Sequence, residues 1–269
     1  MAELSEQQIR DPRRNISSDA VEAARGRLAD RGIDPDKVVG EGELGGSLRV
    51  VDFYLMLGMI AATEKSGQAP TYAMARLALE AGLPSEVADT LYLAYMQQSA
   101  EEASHGDKVF GNAYYAMGGA APAGDSSAVG SAGGSFLAPT DDPKQNKKRL
   151  GGMAGLLGGI ETVALNRVFP AVVGICERWE HPIGQDLVQQ IKESVRPEES
   201  RHVLTWRYVF HTLIAPKGER VVEAFYQGTN QGRRTLGSPE LDPEAITRLL
   251  GTGAPTRRQL LGKDRVALS

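Results

Sequence analysis

Two short passages of this 269-residue chain repeat one arrangement of metal-ligating residue types, Glu101-Glu102-Ala103-Ser104-His105 and Glu198-Glu199-Ser200-Arg201-His202. Both read Glu-Glu-x-x-His. On an α-helix, residues three apart share a face, so the Glu and the His of each pair reach the same small volume. One such pair is an ordinary surface feature; two among only four histidines are improbable by accident. Each passage is preceded, at the same offset, by an isolated acid in an apolar stretch: Glu64 after Ile60-Ala61-Ala62-Thr63, and Glu161 after Leu156-Leu157-Gly158-Gly159-Ile160. Folded as antiparallel hairpins, these stretches put Glu64 level with Glu102 and Glu161 level with Glu199. Four carboxylates and two imidazoles then converge inside a helical bundle.

Such a set cannot be buried empty, because like-charged carboxylates in a low dielectric either protonate or unfold the core. Four Glu charges against two divalent cations make a neutral cluster. Mixed oxygen and imidazole ligation with open positions suits iron or manganese better than a closed zinc site. A redox-active metal in a buried site implies dioxygen or peroxide chemistry.

Over about Val50 to Ile214 the chain resembles the ferritin-like di-iron carboxylate superfamily, whose bundle supplies one Glu from each of two helices and a Glu-x-x-His from each of the other two. The resemblance implies that Glu102 and Glu199 bridge two ions, with Glu64 and His105 completing one and Glu161 and His202 the other. It implies two iron ions as cofactor, or a mixed manganese and iron pair. The implied activity is that of an oxygenase or oxidase, which reduces dioxygen and oxidises or hydroxylates a small organic substrate. An external electron donor, a ferredoxin or a reductase, is then required, since the chain carries no flavin or nicotinamide fingerprint. Glu198-Glu199-Ser200-Arg201-His202 also looks like the acid-Glu-x-Arg-His form of bacterial multicomponent monooxygenases, in which the leading acid and the Arg bond to ligand histidines. The first passage has Ser104 where that Arg stands, and Glu101 and Glu198 read equally as such acids or as solvated ones. Two other activities fit the superfamily. One is ferroxidase or iron storage, which uses shorter, more compact chains; the other is a ribonucleotide-reductase small subunit, against which Val109 stands where the radical tyrosine is expected.

The elements needed to position these residues are helical. β-branched alternation is scarce, and Ala, Leu, Glu, Gln and Arg dominate segments with helical spacing. Ser17-Ser18-Asp19 caps a first helix that runs to about Arg31. An apolar helix from Ser47 to about Ser66 is stopped by Gly67-Gln68-Ala69-Pro70, a short helix follows over Tyr72 to Ala81, and a long one runs from Ser85 to about Met117. The small, polar segment from Gly118 to Ser135 reads as a crossover linker. A third long helix spans about Lys148 to Trp179 with a kink at Pro170, and a fourth spans Gln185 to about Ile214 with Pro197 inside. The expected fold class is all-α, a ferritin-like four-helix bundle over 44–215 with a crossover at 118–147. An N-terminal helix and linker occupy 1–43, and a turn-rich tail over 216–269 holds one short helix near Pro243 to Leu250.

With 41% hydrophobic residues and a net charge of −4, the chain can bury a sizeable core and shows no electrostatic footprint for nucleic acid. Its single cysteine, Cys176, rules out an internal disulfide and fits a reducing cytoplasm. The region Leu150 to Cys176 is interrupted by Glu161, Asn166, Arg167 and Pro170, so it reads as a buried helix and no membrane span is expected. A homodimer is compatible with this composition. His181 and His211 read as structural. Trp206, one turn after His202, reads as core or as a redox relay. Gly151, Gly152, Gly155, Gly158 and Gly159 read as close helix packing, or, at Gly158, as room for an apolar substrate pocket.

Overall fold

A computed structural model describes residues 16–41, 46–120 and 138–262. The proposed linker at Gly118–Ser135 therefore lies almost wholly outside the described residues. Among these residues the protein is mostly helical, as composition predicts. Helix α1 (Ser18–Ala29) starts at Ser17, whose hydroxyl accepts from the Ala20 amide at 3.2 Å. An antiparallel pair of short strands follows, β1 (Val38–Glu41) and β2 (Ser47–Arg49), where a linker and the first residues of a helix were expected. Segments this short carry no readable alternation. They are fixed instead by tertiary bonds, among them Arg178 Nε donating to the Val39 carbonyl at 2.6 Å.

Helix α2 (Val50–Glu80) begins at Val50 rather than Ser47 and runs unbroken through Gly67-Gln68-Ala69-Pro70, which corrects the expected stop and the separate short helix. Pro70 removes one backbone donor. Side-chain bonds reinforce this turn: Thr71 Oγ1 donates to Gly67 O (2.7 Å) and Gln68 O (3.0 Å), and Ser99 Oγ on the next helix donates to Gln68 O (2.9 Å). Helix α3 (Ser85–Ser104) continues through a π-helical segment, His105–Phe110, into α4 (Gly111–Ala116). Contacts between Glu64 and His105, Gly67 and Glu102, and Gly58 and Tyr114 run in opposite chain directions, so α2 and α3–α4 form an antiparallel hairpin.

The second hairpin is built the same way. Helix α5 (Pro143–Val163) starts earlier than Lys148 because Asp142 caps it, accepting from the Lys144 amide at 2.9 Å. It passes through a π segment, Ala164–Val168, into α6 (Phe169–Trp179). Helix α7 (Pro182–Gln190) passes through a further π segment, Ile191–Val195, into α8 (Arg196–Val209) and then another, Phe210–Ile214. Pro170 and Pro197 each follow a π segment by two residues, so the wider turn accommodates the missing amide that would otherwise break the rod.

The tail departs from expectation. Helix α9 (Glu219–Thr235) precedes α10 (Pro243–Leu250) and α11 (Arg257–Leu260), although the sequence suggested only the middle one. Helix α9 packs against the glycine face of α5. A Cβ on Gly155 would sit 3.0 Å from the Phe225 carbonyl, and one on Gly159 or Gly232 would overlap the backbone of the facing helix. Those glycines thus serve close packing. The run Pro143–Trp179 is long and apolar enough, by length and composition alone, to cross a membrane; within it Gly155, Gly159 and Glu161 are buried against other helices of this chain.

Two large apolar clusters fill most of the interior, beside a small third one of Ala94, Leu204 and Leu260. One joins Phe53, Leu57, Phe110, Phe169, Ile191 and Val195; the other joins Met74, Leu77, Leu91, Leu150, Val209 and Phe225. On every rod the predicted site residues fall between the stretches that feed the two clusters.

Candidate metal centre

The structure brings all six predicted site residues together. Glu64, Glu102, His105 and Glu199 form one group, and Glu102, Glu161, Glu199 and His202 form a second; within each, one ligand atom per residue lies within 4.8 Å of all the others. Glu102 and Glu199 are common to both. The imidazole centroids are 6.3 Å apart. The Glu199 and His105 side chains are only 1% exposed, and that of Glu64, the most open of the six, is 11% exposed. Buried carboxylates and imidazoles at this spacing could hold a metal ion.

Helix geometry explains why each side chain points inward. Glu102 and His105, like Glu199 and His202, are one turn apart, and the π segment starting at His105 leaves Gly106 against α2. A Cβ on Gly106 would lie 2.6 Å from the Lys65 backbone nitrogen, so only glycine allows the approach that sets His105 beside Glu64. Gly67 acts similarly: a Cβ there would sit 2.9 Å from Glu102 Oε2. The residue read as a helix stop is thus the space into which a site carboxylate fits.

Each imidazole is held by the acid that precedes the other passage's inner Glu. His105 Nε2 donates to Glu198 Oε2 at 2.6 Å, and His202 Nε2 donates to Glu101 Oε2 at 3.0 Å. These partners hold a proton on each Nε2 and turn both Nδ1 atoms toward the cluster. There His105 Nδ1 stands 3.1 Å from Glu199 Oε1 and 3.3 Å from Glu64 Oε2, and His202 Nδ1 stands 3.3 Å from Glu199 Oε2 and 3.5 Å from Glu102 Oε1. Glu101, left open between two readings by the sequence, also pairs with Arg201 and accepts from Gln97 Nε2 at 2.8 Å. Glu198 accepts from the Ser194 hydroxyl at 3.1 Å.

The cluster satisfies itself poorly. Both Glu199 oxygens and His202 Nδ1 are buried with no hydrogen-bond partner, although they face one another at the common centre. Orphaned polar atoms of this kind are rare in folded proteins, and a cation at their focus would satisfy them. The donor set therefore fits a metal. Without one, protons carry the compensation. Burial and the Glu199 and Glu64 charges push Glu102 up to about 8, and burial with neighbouring carboxylates raises Glu161. Burial opposes the charged form of His105, but its carboxylate partners, Glu198 first, push it up to about 12.

Three further residues bear on the site. Gln98, which the sequence reading missed, is buried; its Nε2 donates to Glu161 Oε1 at 2.9 Å and lies 3.4 Å from Glu102 Oε1. Its place one turn before Glu102 was the available signal. Trp206 occupies the space over Gly158, stacked on Phe225 with ring centroids 6.1 Å apart, so the room expected there is filled by indole. Val109 is buried in the apolar layer next to the site. The other two histidines are structural: His181 Nδ1 caps α7 by accepting from the Ile183 amide at 3.3 Å, and His211 Nε2 donates to the Leu250 carbonyl at 3.2 Å. Comparison of the chain with protein-family models, with curated proteins and with solved structures gives no match.

Proposed function

We propose that this chain is a ferritin-like di-iron oxygenase or oxidase, with Glu64, Glu102, His105, Glu161, Glu199 and His202 as its metal ligands. The observation that carries the reading is the buried convergence of four carboxylates and two Nδ1 atoms on a centre where Glu199 has no hydrogen-bond donor for either oxygen. Four carboxylates and two imidazoles favour iron or manganese over a closed zinc site. When bound, two iron ions would supply the electrons that reduce dioxygen, and an external ferredoxin or reductase would replenish them.

The chain's own residues hold and shield that chemistry. Glu198 and Glu101 fix both imidazoles with Nδ1 inward, and Gln98 restrains the Glu161 carboxylate. The two apolar clusters on either side, with Trp206 over Gly158, keep water from the cluster. A small organic substrate is the proposed reductant partner of dioxygen, and the cytoplasm the proposed compartment.

The test is single turnover. Protein reconstituted anaerobically with Fe2+ is mixed with dioxygen in the presence and absence of small apolar organic compounds, and oxygen uptake and products are followed. Substrate-accelerated uptake with an oxidised organic product supports the proposal. Uptake indifferent to every compound, together with assembly into a particle of about two dozen subunits on size exclusion, would replace it with iron handling.

A further inference from the structure

We infer that the two cation positions of this cluster are unequal, the position beside Glu64 and His105 being the stronger, and that Gln98 and Arg201 set the difference. The inference rests on the reading of the cluster as a metal pair. Its basis is what each histidine and each carboxylate must share with its neighbours.

An imidazole is a better donor at Nδ1 the more fully its Nε2 proton is drawn toward an anion. Glu198 is such an anion for His105. It accepts from Nε2 at 2.6 Å, and its other oxygen takes only a neutral hydroxyl, that of Ser194 at 3.1 Å, among the described residues. Glu101 is a weaker anion for His202. Its Oε1 pairs with the Arg201 guanidinium and accepts from the Gln97 amide, and its bond to His202 is longer, at 3.0 Å. Charge-assisted bonds shorten as the acceptor keeps more charge, so the 2.6 Å and 3.0 Å distances agree with this order.

The carboxylates repeat the asymmetry. Glu161 belongs only to the His202 position, and its Oε1 already accepts from Gln98 at 2.9 Å. Glu64 belongs only to the His105 position, and the hydrogen bond described for it is with His105 itself. The origin lies in sequence: Arg201 stands in one Glu-Glu-x-x-His passage and Ser104 at the equivalent place in the other. The His202 position thus has a depleted imidazole and a depleted carboxylate. The first divalent ion settles beside His105, and that position better holds a trivalent ion.

Metal-free full-length protein given one equivalent of Mn2+ under anaerobic conditions and crystallised would report this through anomalous scattering. The expected occupancy beside His105 exceeds that beside His202 by about tenfold, the size of effect that outer hydrogen bonds have on metal affinity. Gln98→Leu and Arg201→Gln, each shown folded by circular dichroism and melting, are expected to draw the two occupancies together, as is Glu198→Gln from the opposite side. With 57Fe2+ at two equivalents, the two Mössbauer doublets of the unaltered protein should differ and converge in the same variants. Equal occupancy in the unaltered protein, or a ratio unmoved by the variants that fold, overturns the inference and leaves the metal site standing. Failure of the unaltered protein to bind Mn2+ overturns the reading beneath it.

Discussion

Glu199 is the residue on which the cluster turns, because it stands 3.1 Å from His105 and 3.3 Å from His202 and has no donor for either oxygen. Glu199→Gln removes the shared charge and is expected to weaken metal binding by about 100-fold or more, read as metal retained per chain after desalting. Full retention would place the metal elsewhere. Protons provide a second check. In the metal-free protein Glu102 is pushed up to about 8 and His105 to about 12, so both carry protons at neutral pH. A metal requires them deprotonated, so binding must release protons and tighten as pH rises. Titration calorimetry in buffers of unequal ionisation enthalpy should therefore give buffer-dependent heats, and identical heats would contradict this proton balance.

At the scale of elements, glycines separate site from scaffold. Gly67 and Gly159 both lie inside helices, yet different neighbours fill the space a side chain would take. At Gly67 the neighbour is the end of a flexible carboxylate, Glu102 Oε2 at 2.9 Å. Gly67→Ala is expected to leave melting within about 1 kcal/mol of the parent, since the helix itself gains from alanine, while metal affinity falls because Glu102 is displaced. At Gly159 the neighbour is the Thr229 carbonyl of α9, which cannot swing aside. Gly159→Ala is expected to cost about 3 kcal/mol and to loosen α9, seen as a lower denaturation midpoint and faster amide exchange over 219–235. A result with the two roles exchanged would refute the assignment of each glycine to its element.

Across the whole molecule the carboxylate and histidine layer divides two apolar clusters, so the protein carries its least favourable groups where its core would otherwise be continuous. A cation that binds only the folded layer stabilises the fold by mass action, about 4 kcal/mol at a thousandfold excess over the dissociation constant. For a chain of this size that is a rise of roughly 10 °C in melting temperature on adding Fe2+ or Mn2+ without oxygen, reversed by chelation. Glu199→Gln should abolish the rise. A melting temperature indifferent to metal in the parent protein would mean that the layer is held by its own protons and pairs.

The convergence of these six residues was legible before folding because helical spacing is local. Glu102 with His105 and Glu199 with His202 need only one turn of helix, and the equal offsets to Glu64 and Glu161 need only a hairpin. The long rods were legible for the same reason, through helical periodicity, and the short N-terminal helix through its Ser17 cap. What local rules misjudged was decided by contact. Gly67 through Pro70 reads as a stop, but Thr71 and Ser99 add hydroxyl bonds to the Gly67 and Gln68 carbonyls and Glu102 needs the space. The tail after Ala215 reads as turn-rich, but Gly228 and Gly232 lie against the glycine face of α5, which makes their helix worth forming. The choice of Glu101 for His202 and Glu198 for His105, and the part of Gln98, depend on which rod faces which. Periodicity assigns a residue to a face of its own helix, whereas only packing determines the partner that face meets.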